Sequence, residues 1–278
     1  MSMGLAEWLA LAPAAVLLAA AVFTRVAAAL AVLPGLGEAA VPLRVRLGLA
    51  VAMTALLLPA LWPALLPVVD AARAEAGGAA GLFVLGLIAA EAAAGLLIGL
   101  AFRFTVFALQ IAGTIAAQSI TISHVFGNPA TAQAEPSIAS LLSMGGIALA
   151  LIAGLHVEVV VALAALYAVL PMGAWPATGD AAGWTVARSA EAFALGVGLA
   201  TPFVLVGFAY NLALGALSRA MPQLLLTLVG VPLLVGLGLL TLWLSVPELF
   251  ARWSEALARV FADPLGGFLG AAPAVGAP

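Results

Sequence analysis

The stretch LLLTLVGVPLLVGLGLLTLWL, residues Leu224–Leu244, decides the fold class of this chain. It lies inside a run without charged residues, Ala220–Pro247, and a second such run, Ala192–Ser218, precedes it. Each run exceeds the ~20 residues that a membrane-spanning helix needs. Backbone groups in lipid must be paired within the segment, and these runs lack the period-two alternation of membrane strands. The sequence therefore predicts an all-α, polytopic integral membrane protein.

The composition of the whole chain supports this prediction. Hydrophobic residues make up 65% and charged residues 8% of the sequence, against roughly 25% charged residues in a soluble domain. The net charge of -3 offers no basic surface, so no nucleic acid is expected as a partner. The chain has no cysteine, which excludes disulfides and thiolate sites. The N-terminal residues lack a positively charged leader region, and we expect them to be a retained first span.

Six long hydrophobic segments are predicted, joined by linkers rich in turn-forming residues. They are Trp8–Leu33, Val45–Val69, Ala80–Ser119, Ser137–Leu170, Trp184–Leu217 and Leu224–Leu249. Prolines inside them, such as Pro202 and Pro232, break the backbone hydrogen-bond ladder, so the helices are expected to be partly broken. We expect residues 1–262 to form one membrane domain and residues 263–278 to form a flexible tail.

Four charged residues lie within apolar stretches: Arg25, Glu91, Arg103 and Glu158. A charge is costly in lipid, so each is expected to face protein or a wet cavity. We expect partner subunits to pair Glu91, Arg103 and Glu158, which favours helices packed in an assembly over a bundle surrounded by lipid.

The third segment carries the most information, in the stretch GLLIGLAFRFTVFALQIAGTIAAQS. Gly95 and Gly99 form a GxxxG pair, whose favoured interpretation is ordinary close packing of helices. Gln110, Thr114 and Gln118 recur every four residues and share one face of the helix. They would serve either as hydrogen-bonding contacts between helices or as a polar channel lining.

Two further stretches suggest specific roles. The stretch SITISHVFGNPATAQAEP follows the third segment and is predicted to be a non-helical loop, since Asn-Pro favours a turn. It is either a functional loop enclosed by protein or a plain surface linker. The RAMPQ corner, which begins at Arg219, is either a surface turn or a corner that fixes two helices against a partner. Asn211 lies on the same helix face as Gly215 and Ser218, just before this corner.

Motifs for catalysis are lacking. His156 and Glu158 are two residues apart and point to different helix faces, with no third ligand nearby in the sequence. The sequence contains neither a GxSxG element nor a phosphate-binding GxxxxGK[ST] loop. We therefore expect no catalytic residue, no metal, no cofactor and no enzyme activity.

The chain resembles the FliR/SctT family of type III secretion export-gate membrane proteins. The motifs that carry this resemblance run in order along some two hundred residues: Arg25 and Pro34, VPLRVRLGLA at Val41–Ala50, GLLIGLAFRFTVFALQIAGTIAAQ at Gly95–Gln118, NPATAQAEP at Asn128–Pro136, GLHVEVV at Gly154–Val160, LPMG at Leu170–Gly173, and LATPFVLVGFAYNLALGALSRAMPQL at Leu199–Leu224. The last stretch is the most distinctive, because it combines A-x-P, N-x-x-L-G-x-x-[SN]-R and PQ in order.

The resemblance implies a role in protein export. It implies assembly with FliP-like and FliQ-like subunits into a helical stack of helix hairpins, the opening through which unfolded flagellar subunits leave. FlhB-like and FlhA-like export components are further implied partners. The implied location is the flagellar basal body in the bacterial inner membrane.

The resemblance also implies roles for individual residues. The loop after the third segment, at Ile120–Pro129, would project into the pore as a plug, with these residues at its core: Ile122, Ser123, His124, Val125, Phe126, Gly127, Asn128 and Pro129. Asn128 stands where the family has an acidic residue before the proline. Residues of helix packing and assembly would be Gly95, Gly99, Arg103, Gln110, Gly113, Gln118, Asn211, Arg219, Pro222 and Gln223.

Two alternative functions stay open. A virulence-type secretion gate uses the SctT members of the same family. A secondary transporter for a small solute would also have broken helices and polar groups at the membrane midplane. Such transporters have matched halves, and residues 1–139 show no fixed-offset similarity to residues 140–278.

Overall fold

The computed structural model describes residues 5–74, 80–121, 137–217 and 224–268. Within these ranges the chain forms seven α-helices and no strand. The helices are α1 (Leu5–Val32), α2 (Leu43–Ala74), α3 (Ala80–Thr121), α4 (Ser137–Ile152), α5 (Leu155–Val169), α6 (Thr178–Leu217) and α7 (Leu224–Ala262). The predicted all-α, polytopic fold is confirmed.

Five of these helices are long and apolar enough to cross a membrane, and α4 with α5 would make a sixth span. The predicted fourth segment, Ser137–Leu170, is divided in the structure into α4 and α5, which are bent by 68° at the break between them. Gly154 separates α4 from α5 with a φ of 95°, in the left-handed region that glycine adopts without steric cost. Three prolines of the last two segments, in contrast, do not end a helix, since Pro202, Pro232 and Pro247 all lie inside helices.

Three helices are longer than a bilayer requires. Helices α3, α6 and α7 contain 42, 40 and 39 residues. At 1.5 Å per residue each is about 60 Å long, whereas the hydrocarbon core of a bilayer is only ~30 Å thick. Each of them therefore has enough length for one crossing and a further extension of similar size.

The chain divides into two compact units. Unit 1 comprises Met1–Arg103, Gly154–Val186 and Val260–Pro278, and unit 2 comprises Phe104–Ala153 and Ala187–Arg259. The division falls inside α3, which supplies residues 80–103 to unit 1 and residues 104–121 to unit 2. The single membrane domain over residues 1–262 stays a prediction.

In unit 1, α1 packs along α2. Leu18, Val22 and Val26 of α1 are buried, at a spacing of four residues that places their side chains on one face of the helix. The first residues of the predicted tail also pack in this unit. Phe268 is buried and meets Trp184 edge to face, with ring centroids 6.3 Å apart. The tail prediction for residues 269–278 lies outside the described residues.

Candidate functional site

A buried ion pair lies at the centre of unit 1. Arg25 of α1 donates two parallel hydrogen bonds to the Glu91 carboxylate of α3, from Nε to Oε2 at 2.8 Å and from Nη2 to Oε1 at 2.9 Å. Both residues have no exposed surface. This two-point geometry is the strongest that an arginine and a carboxylate form, and it fixes the orientation of both side chains.

The same carboxylate accepts two further hydrogen bonds. The Tyr167 hydroxyl of α5 donates to Oε2 at 3.1 Å, and the backbone N–H of Gly173 donates to Oε1 at 2.9 Å. Glu91 thus has four donors, two on each oxygen, which is what a buried carboxylate needs to offset its lost hydration.

Arg25 makes two more contacts, one with Leu170 just after α5 and one with Tyr167 of α5. Its Nη2 donates to the Leu170 carbonyl oxygen at 3.1 Å. Its guanidinium carbon lies 3.7 Å from the centre of the Tyr167 ring, a cation–π contact. The network therefore joins α1, α3, α5 and the connection after α5.

Two glycines explain how α1 and α3 come close enough for this pair. Glu91, Gly95, Gly99 and Arg103 are spaced by four residues and share one face of α3. A Cβ at Gly95 would overlap the Arg25 carbonyl oxygen, and one at Gly99 would lie 2.5 Å from the Ala29 carbonyl oxygen. No side chain fits at either position, so the two backbones pack directly on each other.

A second ion pair lies at the end of this face. Arg103 pairs with Glu38, which belongs to the connection between α1 and α2, and Arg46 donates to the Glu38 carbonyl oxygen. Glu91 and Arg103 are thus paired within the chain, and the expectation that partner subunits pair them was wrong. The reason is that Arg25 on α1 lies beside Glu91, and Glu38 in the following connection lies beside Arg103.

Glu158 differs from Glu91 and Arg103 in its surroundings. It is half-buried in the first turn of α5, where the helix dipole favours an acidic side chain. It forms no ion pair with any residue that the structure describes. Its pairing by a partner subunit stays a prediction.

Unit 2 is held together by neutral contacts around residues 104–121 of α3. A Cβ at Gly113 would overlap the Cα of Ala139 on α4. On α6, a Cβ at Gly196 or Gly207 would lie 2.8 or 2.6 Å from a carbonyl oxygen of α3. These three glycines therefore allow α4 and α6 to contact the α3 backbone.

A tryptophan supplies the main hydrogen bond of this region. Trp253 of α7 has no exposed surface, and its Nε1–H donates to the Thr105 carbonyl oxygen at 2.8 Å. Its ring packs edge to face on Phe250, with centroids 6.2 Å apart. A buried indole N–H needs such a partner, and the bond fixes α7 against α3.

The polar residues singled out on α3 and α6 bond mainly within their own helices. The Thr114 hydroxyl donates to the Gln110 carbonyl oxygen, and the Asn211 side-chain amide donates to the Gly207 carbonyl oxygen, both at 2.8 Å. Gln110 is half-buried and Gln118 is exposed. The Thr114 hydroxyl thus has its donor bond within its own helix, while an assembly role for Asn211 and a packing or channel role for the two glutamines stay predictions.

The predicted plug loop and the RAMPQ corner lie outside the described residues. This holds for all eight plug residues from Ile122 to Pro129, and for Arg219, Pro222 and Gln223. Helix α3 continues through Ile120 and Thr121, so a loop beginning at Ile120 was wrong by two residues. In the described part of the chain, no group of three or more potential metal ligands occurs.

Three residues of the two ion-pair groups were missed from the sequence: Glu38, which pairs with Arg103, and Tyr167 and Gly173, which donate to Glu91. The four-residue spacing of Glu91, Gly95, Gly99 and Arg103 is a signal that could have revealed the shared face of α3. The sequence contains no comparable signal for Tyr167, because a tyrosine in an apolar helix is usually an ordinary packing residue.

Comparisons with known proteins extend this description. The family described as "Bacterial export proteins, family 1" matches residues 16–260. Flagellar biosynthetic protein FliR of Caulobacter vibrioides is 33% identical over 241 residues, 86% of this chain and 92% of that protein. FliR of Escherichia coli K12 is 30% identical over 234 residues, 84% of this chain and 85% of that protein. In FliR of Aquifex aeolicus, 57 residues match at 44% identity.

The family match covers most of the chain, including α3 with its Glu91–Arg103 face and most of α7. The FliR proteins of Caulobacter vibrioides and Escherichia coli match this chain over 92% and 85% of their own lengths. The chain therefore belongs to the bacterial export proteins, family 1, the FliR family that its sequence motifs indicated.

Proposed function

We propose that this chain is the FliR-type subunit of a flagellar type III export gate in the bacterial inner membrane. It assembles there with FliP-like and FliQ-like subunits into the channel through which flagellar subunits leave the cell. The observation that carries this proposal is the similarity to a FliR protein over 86% of this chain and 92% of the relative.

Exposed apolar surface supports assembly with other helices. Leu205 and Phe208 on α6 and Trp243 and Leu244 on α7 are between 61% and 73% exposed. Large apolar side chains exposed on two long apolar helices mark contact with a membrane or with protein partners. Since α6 and α7 are longer than one bilayer crossing, lipid alone would leave part of each helix without a matching environment.

The ion pairs inside the chain also support its assembly with partner subunits. Arg25–Glu91 and Arg103–Glu38 fix the fold of unit 1 without a partner. The outer faces of the helices thus remain available for neighbouring subunits. The finer parts of the proposal are contacts with FlhB-like and FlhA-like components, passage of unfolded substrates, location in the basal body, and the plug role of Ile122–Pro129.

Copurification tests the assembly. The tagged full-length chain is expressed with the FliP-like and FliQ-like proteins of its own organism, and the membrane complex is isolated in mild detergent. We expect all three proteins in one particle of defined mass. A monodisperse monomer or dimer, free of both other proteins, would contradict the proposal and favour a solute transporter.

Export in cells tests the channel function. Deletion of the gene should abolish secretion of flagellar subunits into the medium, and a plasmid copy should restore it. Secretion of virulence proteins serves as the control measurement. Loss of virulence secretion with normal flagellar export would assign the chain to a virulence-type gate instead.

A further inference from the structure

The connection between α5 and α6, residues 170–177, is joined to the buried ion pair at two backbone groups. Arg25 donates from Nη2 to the Leu170 carbonyl oxygen at 3.1 Å, and the Gly173 N–H donates to Oε1 of Glu91 at 2.9 Å. The same two atoms of the pair, Nη2 and Oε1, lie 2.9 Å apart. The ion pair therefore bridges a carbonyl oxygen and an N–H that are three residues apart in the chain.

This bridge takes the place of a direct backbone hydrogen bond. In a β-turn, the carbonyl oxygen of the first residue accepts from the N–H of the fourth, and Leu170 and Gly173 have that spacing. These two residues form no direct bond, and the turn bond lies one residue later, from the Ala174 N–H to the Pro171 carbonyl oxygen at 3.0 Å. Gly173 is the third residue of that turn, and its φ of 78° is a value that glycine adopts without steric cost. Side chains of α1 and α3 thus hold the entry to the turn.

The rest of the described chain supplies no comparable contact to this connection. The other hydrogen bonds of residues 170–177 run within the connection or to the adjoining ends of α5 and α6. Leu170 and Met172 are buried, whereas Pro171 and Trp175 are exposed. Apolar burial is non-directional, whereas a hydrogen bond to a charged group fixes direction as well as distance. The ion pair is therefore the contact that determines how the connection lies on unit 1.

We propose that the Arg25–Glu91 pair is a clamp that couples the packing of α1 on α3 to the position of the α5–α6 connection. Arg25 lies on α1 and Glu91 on α3, so the two atoms that hold the connection stay together only while these helices keep their register. A slide of one helix by a single turn, about 5.4 Å, would withdraw the donor or the acceptor. The connection would then lose both hydrogen bonds that reach it from other helices. The clamp rests on contacts within unit 1 and does not depend on the proposed export function.

Hydrogen exchange tests the clamp on the purified full-length chain, together with any subunits that copurify. Mass spectrometry follows peptides from residues 170–177 and from α1 and α3, in detergent micelles. The variant Arg25→Met/Glu91→Leu removes both charges and keeps apolar side chains in their place, a replacement that buried pairs often tolerate. We expect exchange in the connection to become roughly tenfold faster or more, because the Gly173 N–H loses its charged acceptor.

The helices serve as the internal reference for this variant. Exchange in α1 and α3 should stay close to that of the parent, since their backbone contact at Gly95 and Gly99 is unchanged. An equal rise in the helices and in the connection would show that the pair only holds α1 against α3, and it would overturn the clamp. Unchanged exchange in residues 170–177 would overturn it as well.

Two single variants keep the test decisive if the double variant does not fold. Tyr167→Phe removes another donor to Glu91 but leaves both contacts to the connection, so exchange there should stay close to that of the parent. Arg25→Lys keeps the positive charge, but one nitrogen replaces the planar fork that reaches both Glu91 oxygens and the Leu170 carbonyl oxygen. We expect Arg25→Lys to speed exchange of the connection more than Tyr167→Phe does. Equal exchange of the connection in these two variants would contradict the clamp.

Discussion

The two parts of α3 are held by different kinds of contact. Residues 80–103 contact α1 through a buried ion pair and direct backbone packing at Gly95 and Gly99. Residues 104–121 contact their neighbours through glycine approaches and the indole N–H of Trp253, without an ion pair among the described residues. One helix thus combines a charged contact surface and a neutral one.

The two kinds of contact differ in how strictly they fix the position of one helix along its neighbour. The Glu91 carboxylate meets all four of its donors in one register only, so a shift of one turn would leave buried charges unpaired. Glycine contacts depend on shape, and they tolerate small shifts as long as no side chain intrudes. We infer that unit 1 resists sliding of its helices more strongly than unit 2.

The largest effect is expected from Glu91→Ala. The substitution leaves Arg25 buried without its counter-ion, and removal of one partner from a buried pair costs about 3–5 kcal/mol. The free energy of unfolding in detergent micelles measures the loss. Glu191→Ala is the control, since Glu191 belongs to an exposed pair with Arg188. Equal effects of the two substitutions would contradict the distinction between buried and exposed charge.

Glycine substitutions test the neutral part of α3. Gly113→Ala places a Cβ against the Ala139 backbone and should destabilise the protein by about 1–3 kcal/mol through overpacking. Gly198→Ala is the matched control in the same unit, because nothing lies within 4 Å of a Cβ at that position. Gly198→Ala should be neutral or stabilising by up to about 1 kcal/mol, since alanine favours a helix over glycine. A Gly113→Ala variant as stable as the Gly198→Ala variant would show that the glycine contact is unimportant.

A smaller effect is expected from Trp253→Phe. The variant removes the N–H that donates to the Thr105 carbonyl oxygen, with a loss of about 1 kcal/mol for the hydrogen bond and a further loss for the smaller ring at a fully buried position. Trp243→Phe changes a 73% exposed ring and should have almost no effect on chain stability. Thermal unfolding of both variants makes the comparison, and an equal shift would argue against the role assigned to Trp253.

The smallest effect is expected from Arg252→Ala. Arg252 pairs with Glu248 one turn away, and both side chains are about two-thirds exposed, at 65% and 67%. Water competes with such a contact, so its loss should shift the unfolding midpoint within the scatter of repeated measurements. A loss comparable to that of Glu91→Ala would mean that this part of α7 is enclosed in the assembled complex.

The sequence was sufficient for the fold class because lipid leaves few alternatives for long apolar runs. The predicted third segment, Ala80–Ser119, is close to α3 at Ala80–Thr121. The last helix is longer than predicted and reaches Ala262, since its charged second half continues the helix beyond the apolar run. The break at Gly154 was missed because a lone glycine in an apolar run is also common inside membrane helices.

The pairing within the site could not be predicted from the sequence. Arg25 and Glu91 are 66 residues apart, and Arg103 and Glu38 are 65 apart. Which charges meet depends on the register of α1 against α3, which the backbone contacts at Gly95 and Gly99 determine. The GxxxG pair predicted that a helix approaches α3 closely, but it did not indicate which one.

A double-mutant cycle at Arg25 and Glu91 tests the contrast between the two parts of α3 most directly. The free energy of unfolding in detergent micelles is measured for the parent, Arg25→Met, Glu91→Leu and the double variant. We predict that each single variant is strongly destabilised and that the double variant loses about 2–3 kcal/mol less than the sum of the two. Additive losses, within about 0.5 kcal/mol, would show that the two charges do not depend on each other and would contradict the account.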